Sequence, residues 1–310
     1  MSRDVHTRAE ENRRPELRSV AMGGLLIGAP GLRRWLVRSM TVCAVILLTG
    51  ISGHLPADTA DQLEHRTGQH DVLTLVRVMY DSSGGYGESW YRYEGRNWQR
   101  WETDYPRAEL NLIQRLTELT SLEVAPEPVT LRLDDPALFD YPFAFMSDVG
   151  WQVLSEREKD ALVAWLSAGG FLWIDDFWGE AEWDNLMRNM GQLRSGWRWR
   201  PIPDDHPLLR MVYHLKSCPQ VPARIFFAQS GLQWDPPGVH RAPAGGFAGV
   251  RDVHFMGLYD DGGRMVAVAT HNTDIADGWE REGESEEFFE KFSISAYALS
   301  INIIFYALSH

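Results

Sequence analysis

A chain of 310 residues, 44% hydrophobic and 12% aromatic, can bury a sizeable core as one large domain or two small ones. Its formal net charge of −13 is uneven: residues 1–40 carry eight arginines against four acids, net +4, which leaves 22 basic and 39 acidic residues, net −17, in the remainder. So acidic a body repels phosphate backbones and anionic lipid, so nucleic acid and membrane surfaces are discounted as its partners.

The first element in chain order reads as a targeting segment. Arg33, Arg34 and Arg38 precede an uncharged, largely apolar run from Thr41 to Ile51. That run is shorter than the roughly 20 residues a membrane span needs and fits the apolar core of a signal peptide. Small residues at Ser52, Gly53 and Ala57 place cleavage near 53–60. The Arg-Arg pair followed by Trp35-Leu36-Val37 weakly resembles a twin-arginine signal. The expected location is therefore exported, periplasmic or extracellular. The alternative is an anchor in the inner membrane formed by residues 35–51. Residues 1–60 are set apart on this ground, and residues 61–310 are expected to form a single α/β domain. Cys218 is the only cysteine beyond the apolar run, which excludes an internal disulfide and a thiolate metal cluster there.

Val72–Tyr80 predicts a strand of apolar and β-branched residues, interrupted only by Arg77. It ends at Asp81-Ser82-Ser83-Gly84-Gly85, a turn suited to a first βα loop. Residues 86–105 read as a long loop with Trp90, Tyr91, Tyr93, Trp98, Trp101 and Tyr105, serving either as a packed lid or as a ligand-contacting loop. Asp104-Tyr105-Pro106 opens a helix with Leu110, Ile113, Leu116 and Leu119 on one face, and Asp104 or a neighbour is a candidate cap. Thr130–Leu133 and Tyr141–Met146 predict short strands, the second ending at Ser147-Asp148. Ser155-Glu156-Arg157-Glu158 is a capping box, and Gly169-Gly170 ends the helix it begins. Phe171–Ile174 predicts a strand covered on both faces, with Asp175-Asp176 at its carboxyl end. Glu182–Met190 predicts a further helix. Residues 219 to 249, rich in Pro and Gly, suggest a surface excursion. Met265–Thr270 predicts a buried strand followed by His271-Asn272-Thr273-Asp274. Phe288–Leu308 is long and apolar enough to resemble a membrane span, but its Ser293, Ser295, Ser300 and Asn302 favour a buried domain helix.

Several of these residues together carry a resemblance. Asp104-Tyr105-Pro106, Tyr141-Pro142-Phe143, Gly169-Gly170-Phe171-Leu172 with Asp175-Asp176-Phe177, Glu182-Trp183, His206-Pro207 and the tail Ser295-Ala296-Tyr297 with Ile301-Asn302 resemble the bacterial family called domain of unknown function 4159, over about residues 70–308. The resemblance implies a flavodoxin-like, class I glutamine amidotransferase-like three-layer sandwich with a mostly parallel central sheet. It brings no established activity. In the amidotransferases a nucleophilic cysteine occupies the turn after the corresponding strand; here Asp175-Asp176-Phe177 stands there.

Chemistry-bearing residues fall at predicted strand ends, where open α/β sheets place ligands. Asp175, Asp176 and His206 are the catalytic candidates. Asp81, Trp101, Asp104, Asp148, Phe177, Trp183, Asn272 and Asp274 are the ligand-contacting candidates. Clustered carboxylates can supply an acid and a base, or with His206 or His271 hold a hard or borderline cation. An Asp after a strand serves as readily as a helix cap or turn former, and His206 before Pro207 as a turn holder. Neighbours on a strand point to opposite sides, so one of Asp175 and Asp176 is expected to be structural while the other faces a cleft. No Gly-x-Ser-x-Gly elbow, His-Glu-x-x-His or P-loop is present. Two functional classes remain. The favoured one is a non-catalytic exported module that binds a glycan, a peptide or a protein partner. The alternative is a carboxylate-dependent hydrolase, with or without a metal. No cofactor is assigned.

Overall fold

The computed structural model describes residues 72–82, 90–93, 95–234 and 251–310. The expected signal peptide or anchor lies outside the described residues. Among the described residues, seven strands form the central sheet: β1 Val76–Met79, β2 Val129–Arg132, β3 Phe143–Met146, β4 Phe171–Ile174, β5 Arg198–Pro201, β6 His254–Tyr259 and β7 Met265–His271. Their spatial order is β2-β1-β3-β4-β7-β6-β5. The first five in that order run parallel, and β6 is antiparallel to both its neighbours. The molecule is therefore α/β with a mostly parallel sheet, compatible with a flavodoxin-like sandwich.

The parallel strands are apolar throughout because both faces are covered. On one face, Leu112, Ile113 and Leu116 of helix α1 (Arg107–Leu119) pack with Phe143, Phe145, Phe171 and Trp173. On the other, Leu162, Trp165 and Leu166 of α2 (Glu156–Ser167) and Leu186 and Met190 of α3 (Gly179–Met190) cover Val76, Val78, Leu172 and Ile174. Each such buried side chain contributes about 1.5–3 kcal/mol of transfer free energy. The capping box of α2 is formed: Glu158 N donates to Ser155 Oγ at 3.3 Å, and Ser155 N to Glu158 Oε2 at 2.9 Å. At the other end, a Cβ on Gly170 would lie 2.3 Å from the Trp165 ring, so only glycine lets β4 start this close to α2.

The structure departs from the sequence expectation in four places. Residues 90–99, read as loop, form an antiparallel pair, Trp90–Tyr93 with Arg96–Gln99, turning at Gly95 (φ 78°). The stretch read as a surface excursion contains a helix, α4 (Arg224–Ser230), held to the core by Phe227; residues 235–249 of it lie outside the described residues. β5 and β6 extend the sheet beyond the strands foreseen. Helix α3 starts at Gly179 rather than Glu182.

The apolar C-terminal segment is one continuous helical run from Glu286 to Ser309, long and apolar enough to cross a membrane, and 67% of its most apolar 18-residue stretch is buried inside the domain. Its last part, α6 (Ile294–Ser309), follows α5 (Asp277–Glu280) and a π turn at Phe289–Ser293. Asn302 has a specific use there. Its Oδ1 accepts from Val212 N at 2.9 Å and Tyr213 N at 2.8 Å, and its Nδ2 donates to Tyr213 O at 2.8 Å. A buried amide satisfied in this way pins the 207–213 loop against the helix.

Candidate functional site

The carboxyl ends of β1, β3, β4 and β7 lie along one edge, with an Asp or Asn one or two residues beyond each: Asp81, Asp148, Asp175 and Asp176, and Asn272. Among the described residues, the only non-glycine positive-φ positions are Asp104 (65°), Asp148 (55°), Asp176 (55°) and Asn272 (63°). Asp148 and Asp176 each stand two residues beyond a strand, and Asn272 one residue beyond. Asp and Asn tolerate this region better than other side chains, and such backbone outliers concentrate at functional sites.

Asp104, Asp176 and Asp274 each offer a carboxylate oxygen, all within 4.8 Å of one another, and Asp104 forms a second trio with Asp277 and Glu280 within the same limit. Asp176 and Asp274 are 7% and 4% exposed. Three parts of the fold deliver these groups. Asp104 arrives on the loop before α1, which Arg77 holds from below. That guanidinium is fully buried in β1, over the Phe145 ring at 4.9 Å. Its Nη1 donates to the carbonyls of Thr103 at 2.8 Å and Trp101 at 3.1 Å, while its Nε donates to Glu109 of α1 at 2.6 Å. Burial alone would weaken the Arg77 charge; Glu109 outweighs it and raises the pKa. Asp104 was a candidate helix cap, and the structure corrects this. Pro106 occupies the N-cap with no side-chain cap bond, and Asp104 Oδ2 is buried without a hydrogen-bond partner.

Asp176 turns outward after β4, with Trp178 Nε1 donating to its Oδ1 at 3.0 Å. Asp274 follows β7 and accepts from Asp277 N at 2.9 Å. Helix α5, which carries Asp277 and Glu280, is seated by three neighbours. Trp279 packs on Trp173 and Phe145, with ring centroids 5.3 and 5.5 Å away. Asn111 of α1 donates to Trp279 O at 2.7 Å. A Cβ on Gly278 would lie 2.6 Å from that of Ala296, so a larger residue would push α5 off α6.

Burial, and then the charge of Glu280, holds the Asp104 carboxyl well above the usual range. Burial, followed by the charges of Asp176 and Asp277, does the same to Asp274. Glu280 is pushed up to about 7 by burial and then Asp277, with Arg281 and Arg107 opposing. Carboxylates this close either take up protons or share a cation, and oxygen-only donor sets suit hard divalent ions.

The neighbouring Asp175 is turned inward. Thr270 Oγ1 donates to its Oδ1 at 2.5 Å, and Ala276 N to its Oδ2 at 3.0 Å. Burial pushes its pKa up to about 7 against these bonds, and it bolts β7 to the turn that carries Asp274 and Asp277.

The remaining candidates separate. Asp148 pairs with Arg100 Nη1 at 3.1 Å and accepts from Thr103 Oγ1 at 3.0 Å, latching the 100–103 turn beside the cluster. Asn272 is fully buried and positions backbone: Gly179 N donates to its Oδ1 at 2.8 Å, and its Nδ2 donates to Asp252 O at 2.8 Å. Phe177 is core, between Trp183 and His271 with centroids at 6.2 and 4.7 Å. Trp101 is half-buried against Tyr105. Asp81 is exposed and pairs with Arg132 at 3.0 Å. His206 is not brought to the cluster. It caps the turn at Pro207–Arg210, where its Nδ1 accepts from Leu208 N at 3.2 Å, and its ring lies against Tyr306 at 5.6 Å. Tyr306 in turn packs on Phe171, at the amino end of β4. Burial pushes the Cys218 thiol well up, which leaves it a poor nucleophile.

Glu280, Asp277, Arg77 and Glu109 were not among the sequence candidates. Arg77 was visible as the one charge inside an apolar strand. Asp277 and Glu280 stand just before a stretch rich in acids, residues 282–290, which gives them no distinguishing signal in the sequence. Residues 90–308 match the family described as Domain of unknown function (DUF4159). No curated protein matches the chain.

Proposed function

The chain belongs to the Domain of unknown function (DUF4159) family, and from that premise we propose a binding function that depends on a divalent cation held by Asp104, Asp176 and Asp274. The supporting observation is the approach of three carboxylates from three separate segments to within 4.8 Å of one another. Leaving them all ionised without a cation is costly. Mg²⁺ or Ca²⁺ takes six or more oxygen ligands, so three carboxylates leave positions for the hydroxyl or carboxylate oxygens of a glycan or peptide. That partner class, and export directed by residues 33–51, belong to the same proposal. The likeness to class I glutamine amidotransferases in overall architecture is proposed on the strand order alone and carries no thiol chemistry, since Asp175-Asp176-Phe177 follows β4.

A hydrolytic reading draws on one further observation. Glu280, with a pKa up to about 7, lies in the trio that shares Asp104 and could accept a proton from an ion-bound water. His206 has no part in it. Calorimetric titration of the ion-free protein with Mg²⁺, Ca²⁺ and Mn²⁺ tests the proposal, with Asp274→Asn as the comparison. One equivalent bound by the wild type, weakened at least tenfold in the variant, is expected. No saturable binding of any of the three ions would refute it.

A further inference from the structure

The sheet's antiparallel extension carries a second constellation, made of residues other than those of the carboxylate cluster. His254 opens β6 and His271 closes β7, and the register pairs them directly. Their Nδ1 atoms lie 3.1 Å apart, and their ring centroids 5.1 Å apart, so the two Nδ1 edges face each other. His271 is 2% exposed and fixed from behind: its Nε2 donates to Gly179 O at 3.0 Å. That bond places the ring proton on Nε2 and leaves the Nδ1 lone pair directed at His254. Phe177 and Trp183 wall the ring at 4.7 and 5.3 Å between centroids. His254 is exposed and gives access from solvent.

We propose that His254 and His271 form a two-histidine site for a borderline transition metal, Cu²⁺, Ni²⁺ or Zn²⁺, bound through both Nδ1 atoms with water completing the shell. With metal–nitrogen bonds of about 2.0–2.1 Å, the observed 3.1 Å separation subtends about 98° at the ion. That lies between the square-planar and tetrahedral angles these ions adopt. The Gly179 carbonyl supplies the outer hydrogen bond that metal-ligating histidines ordinarily make through their second nitrogen. Imidazole pairs select ions of this class over the hard cations that suit carboxylates, so the two sites differ in chemistry. Binding forms two coordinate bonds and breaks only His254 Nδ1–H, whose proton moves to Nε2 of that exposed ring or to solvent.

The test uses tag-free full-length protein in the Asp176→Asn background, which separates this site from the carboxylate cluster. Cu²⁺, Ni²⁺ and Zn²⁺ are titrated calorimetrically into that protein and into the same protein carrying His254→Gln, an exposed change whose folding is checked by circular dichroism. At least tenfold weaker binding in His254→Gln is expected for the ion held most tightly. The Cu²⁺ electron paramagnetic spectrum should change from two imidazole nitrogens to one. Equal affinity in both proteins, or a Cu²⁺ spectrum unchanged by the substitution, would overturn the proposal and leave the pair as a simple hydrogen bond.

Discussion

Replacing Asp176 by Asn should stabilise the ion-free protein and remove most of the stabilisation that a divalent ion brings. Asn tolerates the left-handed backbone at this position (φ 55°). Its Oδ1 can still accept from Trp178 Nε1, now at 3.0 Å. The substitution therefore removes a charge while keeping that bond. Two like charges separated by the 4.8 Å limit of the cluster repel by about 3.5 kcal/mol at an effective dielectric of ~20. The Asp274 carboxyl already reflects this repulsion: it is raised well above the usual range, by burial first and by the charge of Asp176 next. The relief in the ion-free variant is then a fraction of the total, about 1–3 kcal/mol. For a domain of this size that raises Tm by roughly 2–4 °C per kcal/mol. An ion at a hundredfold its Kd stabilises the wild type by about 2.7 kcal/mol, or roughly 5–10 °C. The variant should lose most of that gain. Scanning calorimetry at pH 8 with EDTA, then with excess Ca²⁺ or Mg²⁺, measures both effects. An ion-free variant less stable than wild type, or one that keeps the full ion-induced shift, would refute the reasoning.

Asp175 and Glu280 are both pushed up to about 7, from ordinary values of 3.8 and 4.5. Raised carboxyl pKa values mean that the folded state favours the protonated forms. Their contribution is present below the ordinary values and is lost as pH rises through about 7. The ion-free protein should accordingly melt at higher temperature at pH 5 than at pH 8, and a flat or opposite profile between those limits would contradict this. Asp175→Ala deletes the bolt to Thr270 and Ala276 and should cost about 2–4 kcal/mol and the ion affinity together, read by urea unfolding and calorimetry; intact ion binding would show that the 274–277 turn stands without it. Asn302→Leu strands three backbone groups of residues 212–213 and should cost about 3 kcal/mol in urea, a loss below 1 kcal/mol being inconsistent with the pinning role. Glu109→Ala leaves the Arg77 charge buried and unpaired, for about 3–5 kcal/mol of destabilisation; a Tm within 2 °C of wild type would argue that the pair carries no such burden.

The central strands were legible because they are buried on both faces and need nothing but apolar side chains. Phe171–Ile174 and Met265–Thr270 read directly as such runs. β6 did not, since it starts with His254 and contains Gly257. That glycine answers to a contact invisible in one dimension: a Cβ there would meet the Tyr259 ring at 2.9 Å and Met265 at 3.1 Å. β5 is an edge strand whose Arg198 and Arg200 are exposed, so it shows no core face. The 90–99 pair buries little and has no apolar alternation to reveal it. The C-terminal helix could be told from a membrane span by its polar residues, and Asn302 is the one whose bonds explain why.

The site was legible as a position and illegible as a constellation. Strand-end aspartates mark an edge, but their roles depend on which way each backbone turns. Asp175 and Asp176 are chemically identical neighbours. The first keeps its side chain inside, where Thr270 and Ala276 occupy both oxygens. The second adopts φ 55° and swings its carboxylate towards Asp104 and Asp274. The two are therefore coupled in purpose. Asp175 holds the turn after β7 in place, and that turn supplies two of the acids the cluster needs. The buried Arg77 does the corresponding service for Asp104 through the Thr103 carbonyl. Two buried polar groups, each costly to desolvate, help to hold the segments that carry these carboxylates. A cluster assembled for helix capping would need neither. Asp104, whose sequence position most invited a capping role, makes no cap at all and instead stands in both acidic trios.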